Sequence, residues 1–311
     1  MRTCLISAIC TPLGEDDSLD VDALAAHLDD QWRHGIGGAL IAGSMGLMQL
    51  LSEAAYRDLV RHGVQLARGR GEVLVGAGDT SFVRTLARIE YVEQFDVDGI
   101  VVLSPFFYVL GHADLIAYFR GLADRSRKPL YLYDLPVATR TSLHLDTVLE
   151  LAKHPNIRGI KCSGEWTATR RLMDRAPEGF RVVPAQPDIV DMLVRCGVRD
   201  NLDGIYAILP DLAAGIVAAA EGGDYALAAA RQRQLTEFRQ MILTAYPLFP
   251  ACSAILNARG IPGRVHPAPI RPLTAQEAQR LFNEPLVREL LNSPPTEKSL
   301  AMPAVTERRS G

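Results

Sequence analysis

The sequence has few cysteines, and neither its cysteines nor its histidines are spaced as in a metal site. The five cysteines are scattered, odd in number and without a C-x-x-C pair. That usage indicates a reducing compartment and argues against a disulfide framework or a zinc site. The seven histidines show no H-E-x-x-H or comparable ligand spacing. We therefore expect no metal ion in this protein.

The chain also lacks a strong charge imbalance and a long hydrophobic run. It has 33 basic and 36 acidic residues, a formal net charge of −3, and no dense Lys/Arg run interleaved with aromatics. Nothing here favours a nucleic-acid partner. The apolar run at residues 5–10 is too short to span a membrane and is followed by Thr11-Pro12 and acidic residues, unlike a signal peptide. We expect a cytoplasmic protein without a membrane partner.

Short hydrophobic runs alternate with helical patterns along most of the chain. Eight runs, mostly rich in β-branched residues, are predicted as strands: residues 3–9, 38–43, 72–77, 99–103, 130–134, 157–161, 180–185 and 202–207. Strands without polar alternation are typical of parallel sheets that are buried on both faces. A helical pattern follows each run.

Eight such units predict an α/β fold, a (β/α)8 TIM barrel. A doubly wound open sheet is the alternative, but no G-x-G-x-x-G follows the first strand. Helical patterns at 225–244, 248–258 and 275–291 predict a C-terminal helical extension. We assign residues 1–223 to the barrel and 224–292 to a helical appendix. Residues 293–311 are expected to form a mobile or partner-contacting tail.

In a (β/α)8 barrel the chemistry lies at the carboxyl ends of the strands. Four such ends carry suitable groups: the turn at residues 43–46 (GSMG), Tyr133, Lys161, and Gly204-Ile205. A desolvated lysine can be a neutral amine that attacks carbonyls, and a tyrosine can relay protons. The backbone N–H groups of a glycine-flanked turn can face a carboxylate. The sequence therefore favours a site for a 2-oxo acid at this rim.

Each of these features also has a purely structural interpretation. Lys161 could extend to solvent beside a core tyrosine, and the turn could be a plain β–α connection. Asp188, after the seventh strand, could contact a substrate hydroxyl or cap a helix, and the cap is favoured. The coincidence of lysine, tyrosine and turn on one rim favours the catalytic interpretation.

At these residues the sequence resembles the dihydrodipicolinate synthase / N-acetylneuraminate lyase family of class I aldolases, over about residues 3–290. Residues 43–46 (GSMG) resemble its G-S/T-S/T-G-E carboxylate-binding turn. Residues 133–139 (YDLPVAT) resemble Y-N-x-P-x-x-T, and residues 159–164 (GIKCSG) resemble G-I-K-D/E-S/T-S/G. The resemblance implies that Lys161 forms a Schiff base with pyruvate or another 2-oxo acid and that Tyr133 is the general acid/base.

The resemblance implies further roles around this pair. The backbone amides of Ser44 and Met45 would hold the substrate carboxylate, and Ile205 would line the pocket. No cofactor would be needed, because the covalent imine on Lys161 takes its place. The family also implies a homo-oligomer, a dimer or a tetramer.

The chain departs from the family where a proton relay is expected. Met45 stands where the family usually has a second hydroxyl residue, and Leu47 replaces the usual glutamate. Phe107 stands where a tyrosine, donated across a subunit interface, completes the relay. Tyr108 is a candidate replacement, although adjacent residues of an extended segment point in opposite directions.

A second departure affects the site for the other substrate. Ala138 stands where dihydrodipicolinate synthases carry an arginine that grips the second substrate's carboxylate, and Arg140 is a candidate replacement. These differences argue against dihydrodipicolinate synthesis itself but leave the lysine and the tyrosine in place.

We therefore predict a class I aldolase-type lyase acting on a 2-oxo acid such as pyruvate and its aldol adducts. One alternative is a 2-keto-3-deoxy sugar acid dehydratase, or a related lyase, that uses the same lysine imine. The other is a catalytically attenuated homologue that serves binding or regulation, which the missing relay hydroxyls motivate.

Overall fold

The computed structural model describes residues 3–292, and eight parallel strands form their centre. The strands are β1 (Cys4–Ala8), β2 (Gly38–Ile41), β3 (Glu72–Gly76), β4 (Gly99–Leu103), β5 (Leu130–Asp134), β6 (Ile157–Cys162), β7 (Arg181–Pro184) and β8 (Asp200–Asp203). Their hydrogen-bonded order is β7-β6-β5-β4-β3-β2-β1-β8. Because β7 and β8 also lie side by side, the sheet is a nearly closed barrel. The predicted (β/α)8 barrel is confirmed, and the open-sheet alternative is excluded.

Helices connect the strands and continue after the barrel. They are α1 (Val21–Arg33), α2 (Glu53–Ala67), α3 (Phe82–Val92), α4 (His112–Ala123), α5 (Pro136–Thr139), α6 (Leu145–Leu151), α7 (Trp166–Arg175), α8 (Val190–Arg195), α9 (Ile205–Ile208), α10 (Pro210–Glu221), α11 (Tyr225–Ala245), α12 (Leu248–Ala258), α13 (Ala275–Asn283) and α14 (Pro285–Asn292). Asp20, Ser52 and Ser81 cap three of them by accepting a backbone N–H, which satisfies a donor that the first helical turn leaves free.

The eighth strand differs from the prediction. It ends at Asp203, and the residues expected to extend it to 207 form the short helix α9 instead. The Asp203 carboxylate accepts the Ile205 N–H at 2.9 Å, which supports the turn from strand into helix. Hydrophobicity misled the prediction because a short buried helix and a short buried strand have the same apolar composition.

A charged cluster lies where three strands begin. Arg181, the first residue of β7, donates hydrogen bonds to Glu72 at the start of β3 and to Asp200 at the start of β8. The two carboxylates raise the pKa of the Arg181 guanidinium against the opposing effect of burial. The cluster therefore ties β7 to β8 at the amino ends of the strands, opposite the end that carries Lys161.

The C-terminal helices share a second hydrophobic cluster with the barrel. Phe238 on α11 and Ile255 on α12 are buried with Tyr206 and Ile216 from the last barrel helices. This packing fixes α11 and α12 against the barrel near β8. The predicted boundary between residues 223 and 224 stays a prediction, and the predicted tail at 293–311 lies outside the described residues. No helix within residues 3–292 combines the length and apolarity needed to cross a membrane.

Candidate active site

Lys161 and Tyr133 meet inside the barrel at the ends of neighbouring strands. They are Cα partners in the β5–β6 ladder, so their side chains leave the sheet on the same side and at the same level. Lys161 Nζ lies 2.9 Å from Tyr133 Oη and 4.2 Å from the centre of its ring. The two residues are 4% and 2% exposed. An amine held by a phenol and shielded from water suits nucleophilic attack on a carbonyl.

Ser44 extends this pair toward the turn after β2. Its hydroxyl lies 3.0 Å from Tyr133 Oη, so the tyrosine oxygen contacts both the serine and the lysine. The amide N–H groups of Ser44 and Met45 find no acceptor among residues 3–292. Two free donors beside a buried amine can bind a carboxylate.

The glycines of this turn are needed for close approach. A Cβ added to Gly46 would lie 2.9 Å from the Ile9 carbonyl oxygen, and one added to Gly43 would lie 3.0 Å from the Leu40 side chain. The left-handed residues that bend the chain are instead Ala42 and Leu47, with φ of 53° and 54°. Leu47, which replaces the usual glutamate, is buried.

A cavity of about 560 Å³ opens above Lys161 and Tyr133. Ser44, Met45 and Ile205 line it, so the structure brings these predicted residues together with the lysine and the tyrosine. Much of the remaining lining is apolar and comes from the β4–α4 and β5–α6 connections and from the C-terminal helices: Phe106, Leu135, Ile242, Leu243, Leu248 and Phe249.

Two predicted substrate-binding residues do not line this cavity. Phe107 is 80% exposed with a φ of 93°, and its ring packs edge-on against that of Tyr108 on the surface. Arg140 is exposed and left-handed (φ 56°), ending the short helix α5. The strained backbone at Phe107 and the helix end at Arg140 turn the side chains of these two residues outward. Their neighbours Phe106 and Ala138 line the cavity instead.

The sequence prediction missed Asp203, the last residue of β8, which lines the cavity. Burial raises the pKa of its carboxyl above the usual range, while Lys161 and the Ile205 N–H act in the opposite direction. A carboxylate at the end of a barrel strand was the available signal. It was hidden because the predicted strand continued to residue 207.

Arg239 on α11 also lines the cavity and was not predicted. It donates to the Asp188 carboxylate at 2.8 Å. The favoured role of Asp188 as a helix cap is wrong, because Asp188 lies inside a short 3-10 turn and its side chain caps neither that turn nor α8. No local pattern could have found Arg239, since its position depends on packing between distant segments. Among residues 3–292 no group of three metal-ligating side chains could hold a metal ion.

The chain matches a known protein family along most of its length. The model of the Dihydrodipicolinate synthetase family matches residues 1–284. A 4-hydroxy-tetrahydrodipicolinate synthase of Limosilactobacillus fermentum is 31% identical over 281 residues, which are 89% of this chain and 89% of that protein. The enzyme of the same name from Exiguobacterium sp. is 27% identical over 284 residues, 91% of this chain and 97% of that protein.

Solved structures show the same architecture. YagE, a prophage protein of the dihydrodipicolinic acid synthase family from E. coli K12 in complex with pyruvate, has a TM-score of 0.84 and 26% identity. The match covers 93% of this chain and 98% of YagE. A variant of 2-keto-3-deoxygluconate aldolase from Sulfolobus solfataricus, 20% identical, has a TM-score of 0.81 over 89% of this chain and 93% of that chain and supports the fold alone.

Proposed function

The chain belongs to the dihydrodipicolinate synthetase family, and on that premise we propose that it is a Schiff-base (class I) aldolase or lyase acting on a 2-oxo acid such as pyruvate. Membership in this family supports a pyruvate-dependent aldolase or lyase. The proposed Schiff base on Lys161 rests on the 2.9 Å contact between the buried Lys161 amine and the Tyr133 hydroxyl.

The first step joins the lysine to the substrate. The lone pair of Lys161 Nζ attacks the keto carbon, and the carbonyl oxygen takes up a proton to give a carbinolamine. Tyr133 Oη, 2.9 Å from the nitrogen, is within reach to donate the proton with which the hydroxyl leaves as water. The product is an iminium, which withdraws electrons from the neighbouring carbon.

The second step uses that iminium as an electron sink. In cleavage, the pair of the C3–C4 bond moves into the C2–C3 bond, and the C2=N pair moves onto nitrogen. The C4 hydroxyl loses its proton as its carbon becomes an aldehyde. Tyr133 can accept that proton, because Ser44 at 3.0 Å can hydrogen-bond the resulting phenolate. The enamine that remains takes a proton back at C3, which restores the iminium, and hydrolysis of the iminium then releases the 2-oxo acid. Condensation runs the same steps in reverse.

The carboxylate of the 2-oxo acid would lie against the turn after β2. The free N–H groups of Ser44 and Met45 supply two hydrogen bonds without a positively charged side chain. Such pre-arranged donors bind an anion with little reorganisation. This arrangement sets the keto carbon beside Lys161 and directs the rest of the substrate toward the cavity mouth.

The outer cavity supports a partner with an apolar body. Leu243 is 47% exposed and lines the cavity together with Ile242 and Phe249. Apolar surface left open beside a catalytic amine is typical of a ligand contact. Arg239 adds one charged group, which Asp188 partly neutralises. An alkyl or aromatic aldehyde fits this lining better than a polyhydroxylated one.

Trapping and product identification test the proposal. The enzyme is incubated with pyruvate and a panel of longer 2-oxo acids, then treated with borohydride, which reduces an imine to a stable amine. We expect inactivation that requires both reagents. Release of an aldehyde plus pyruvate from an aldol adduct identifies an aldolase, whereas water loss identifies the dehydratase alternative. No inactivation across the panel would contradict the proposal and favour a binding or regulatory homologue.

An exposed apolar patch supports a homo-oligomer. Phe107, Tyr108 and Val109 are 80%, 75% and 65% exposed, and Val137 on the next β–α connection is also exposed. A second copy of the chain on this patch would bury them beside the cavity. Light scattering should give a dimer or tetramer, and Tyr108→Glu should shift it toward a monomer. A wild-type monomer would contradict this assembly.

A further inference from the structure

We infer that Arg239 on α11 binds a second carboxylate of the substrate, at the end of the molecule away from the 2-oxo acid group. The inference rests on the proposed function and deepens it by naming the class of the aldehyde partner, an oxo acid whose apolar body ends in a carboxylate. Arg239 selects among substrates and takes no part in the reaction at Lys161.

The helix α11 presents the Arg239 side chain on the face that lines the cavity. Ile242 and Leu243 on the same helix line the cavity together with Arg239. Residues three and four positions apart lie on one side of an α-helix, so the three side chains project the same way. It is therefore the side chain of Arg239, rather than the helix backbone, that meets the cavity.

Asp188 fixes the position of the guanidinium group. It lies in the 3-10 turn Pro187–Ile189, shortly after β7, and accepts a hydrogen bond from Arg239 Nη1 at 2.8 Å. Ala185 and Pro187, from the same connection, also line the cavity. The guanidinium therefore lies between α11 and the connection after β7, at the rim of the cavity.

One edge of this guanidinium has no protein partner. The bond to Asp188 uses Nη1, and within residues 3–292 no acceptor contacts Arg239 Nε or Nη2. These two nitrogens form the side-on edge of the group, which presents two parallel N–H donors at the spacing of a carboxylate. Because the side chain is 35% exposed, a carboxylate that enters the cavity can form a bidentate pair with this edge.

The pair between Arg239 and Asp188 is not needed to join α11 to the barrel. The buried Gln232, two turns earlier on α11, already donates to the Pro187 carbonyl at 2.7 Å and accepts the Asp191 N–H at 3.3 Å. An ion pair as exposed as that of Arg239 and Asp188 contributes little to stability. A purely structural role therefore accounts poorly for an arginine here.

Arg239 is the cation that remains for a second anion. Among the described residues that line the cavity, the basic side chains are Lys161 and Arg239, and Lys161 becomes part of the imine. Burial raises the pKa of the Asp203 carboxyl, so this group repels a bound anion less than an ordinary aspartate. The negative charge of Asp188 is then the main opposition to a ligand carboxylate.

The order of the strands directs the substrate toward Arg239. Three strands separate β2 from β6 in either direction around the barrel, so the turn after β2 and Lys161 lie on opposite sides of the cavity. A 2-oxo acid whose carboxylate lies against that turn and whose keto carbon meets Lys161 continues toward the β6 side. Its distal end then reaches the connection after β7, the neighbour of β6, where Asp188 and Arg239 lie.

Apolar side chains surround this part of the cavity. Ile242 and Leu243 lie one helical turn after Arg239, and Leu248 and Phe249 follow at the start of α12. Hydroxyl groups would find few partners among them, whereas methylene or aromatic carbons gain from leaving water. Cleavage therefore releases pyruvate and an oxo acid in which an apolar chain or ring joins the aldehyde to a carboxylate.

Imine trapping with two series of 2-oxo acids tests this role without knowledge of the aldehyde. The first series is 2-oxo dicarboxylates of five to eight carbons, and the second carries an isopropyl group, similar in shape, in place of the distal carboxylate. For each compound, the concentration that gives half the maximal rate of inactivation by borohydride is measured. The wild type should need an at least about tenfold lower concentration of the dicarboxylate of fitting length than of its isopropyl analogue.

Substitutions separate recognition from a structural role. Arg239→Gln should lower this preference about tenfold, because the paired donors are lost, and Arg239→Lys should retain part of it. Asp188→Asn should raise the preference about threefold or more, because the amide oxygen still accepts the Nη1 hydrogen bond while the opposing charge is gone. A merely structural pair predicts no such opposite shifts. Arg233→Gln, at an exposed position of α11 that does not line the cavity, should keep the wild-type preference.

A wild type that traps pyruvate but prefers no dicarboxylate at any length would overturn the inference. The same follows if Arg239→Gln keeps the full preference, or if the preference of Asp188→Asn falls as far as that of Arg239→Gln. A wild type that traps no 2-oxo acid would overturn the proposed function itself, so the two failures are distinguishable. If Arg239→Gln does not fold, the wild-type comparison and Asp188→Asn decide.

Discussion

Tyr133 Oη stands between Lys161 Nζ at 2.9 Å and Ser44 Oγ at 3.0 Å, so one phenol connects the amine to the turn at residues 43–46. We predict that Tyr133→Phe lowers kcat by about 10²–10⁴-fold, because the proton donor and acceptor is lost. Steady-state kinetics of the wild type and the variant, measured with the best substrate found in the 2-oxo acid panel, give the ratio of the two kcat values.

Tyr131→Phe is the control for this change. Tyr131 lies two residues earlier on β5, faces the same way and packs over Gly99 and Gly159 below the cavity. Its variant should keep turnover close to wild type. A near-native kcat in Tyr133→Phe would move the proton transfer to another group.

Gly204 and Met45 are in close contact beside the turn at residues 43–46, so neither position has room for a larger side chain. Gly204→Ala would bring a methyl group within 2.7 Å of Met45 Cγ and 2.9 Å of Met45 Cβ. We expect it to displace the turn, to cost about 1–3 kcal/mol of unfolding free energy, and to raise KM for pyruvate. Urea denaturation and kinetics measure the two effects.

Adding Met45→Ala to Gly204→Ala should restore part of the unfolding free energy and lower the KM for pyruvate again, because the contact with Met45 Cγ disappears. Gly111→Ala is the control, since its new Cβ would approach no atom closer than 3.7 Å. An unchanged KM in Gly204→Ala would show that the turn does not hold the carboxylate.

Leu243 on α11 tests the apolar outer cavity. Leu243→Asn should lower kcat/KM about tenfold for condensation of pyruvate with benzaldehyde, because apolar contact is lost, and should leave glyceraldehyde nearly unaffected. Leu227→Asn is matched to it, as Leu227 is similarly exposed on the same helix but does not line the cavity. Equal losses with both aldehydes would argue against an apolar subsite.

His27 on α1 gives the fold a dependence on pH. Its side chain is buried, both ring nitrogens lack a partner within the described residues, and burial lowers its pKa from 6.5 to about 4. The unfolded chain binds a proton below pH 6.5 that the native state refuses down to about pH 4, so stability falls as pH falls through that window. The loss from this residue is about 3 kcal/mol.

Urea unfolding at several pH values between 7 and 4 measures this loss. In His27→Leu the slope should become shallower, because the proton-binding difference is gone. His144→Gln, at an exposed position, should keep the wild-type slope. An identical slope in His27→Leu would assign the acid sensitivity to other groups.

The sequence predicts the barrel well because eight buried parallel strands leave a pattern that local hydrophobicity records. It also predicts Lys161, Tyr133 and the turn at 43–46, because each lies at or just after the carboxyl end of a strand and these strand ends converge in this fold. Prediction failed where tertiary packing decides. Arg239 comes from a helix about 80 residues after Lys161, and Asp203 was assigned to the interior of a strand that the structure ends there.

Identifying the lysine that borohydride traps with pyruvate is the most direct test of the proposed Schiff base on Lys161. The chain contains four lysines, at 128, 153, 161 and 298, so a peptide map separates them. After incubation with pyruvate and borohydride, we predict one added reduced pyruvate, carried by Lys161 and absent in Lys161→Ala. Lys153→Ala, which removes an exposed lysine paired with Glu150, should retain it. A wild-type protein without the adduct, or with the adduct on another lysine, would contradict the central claim.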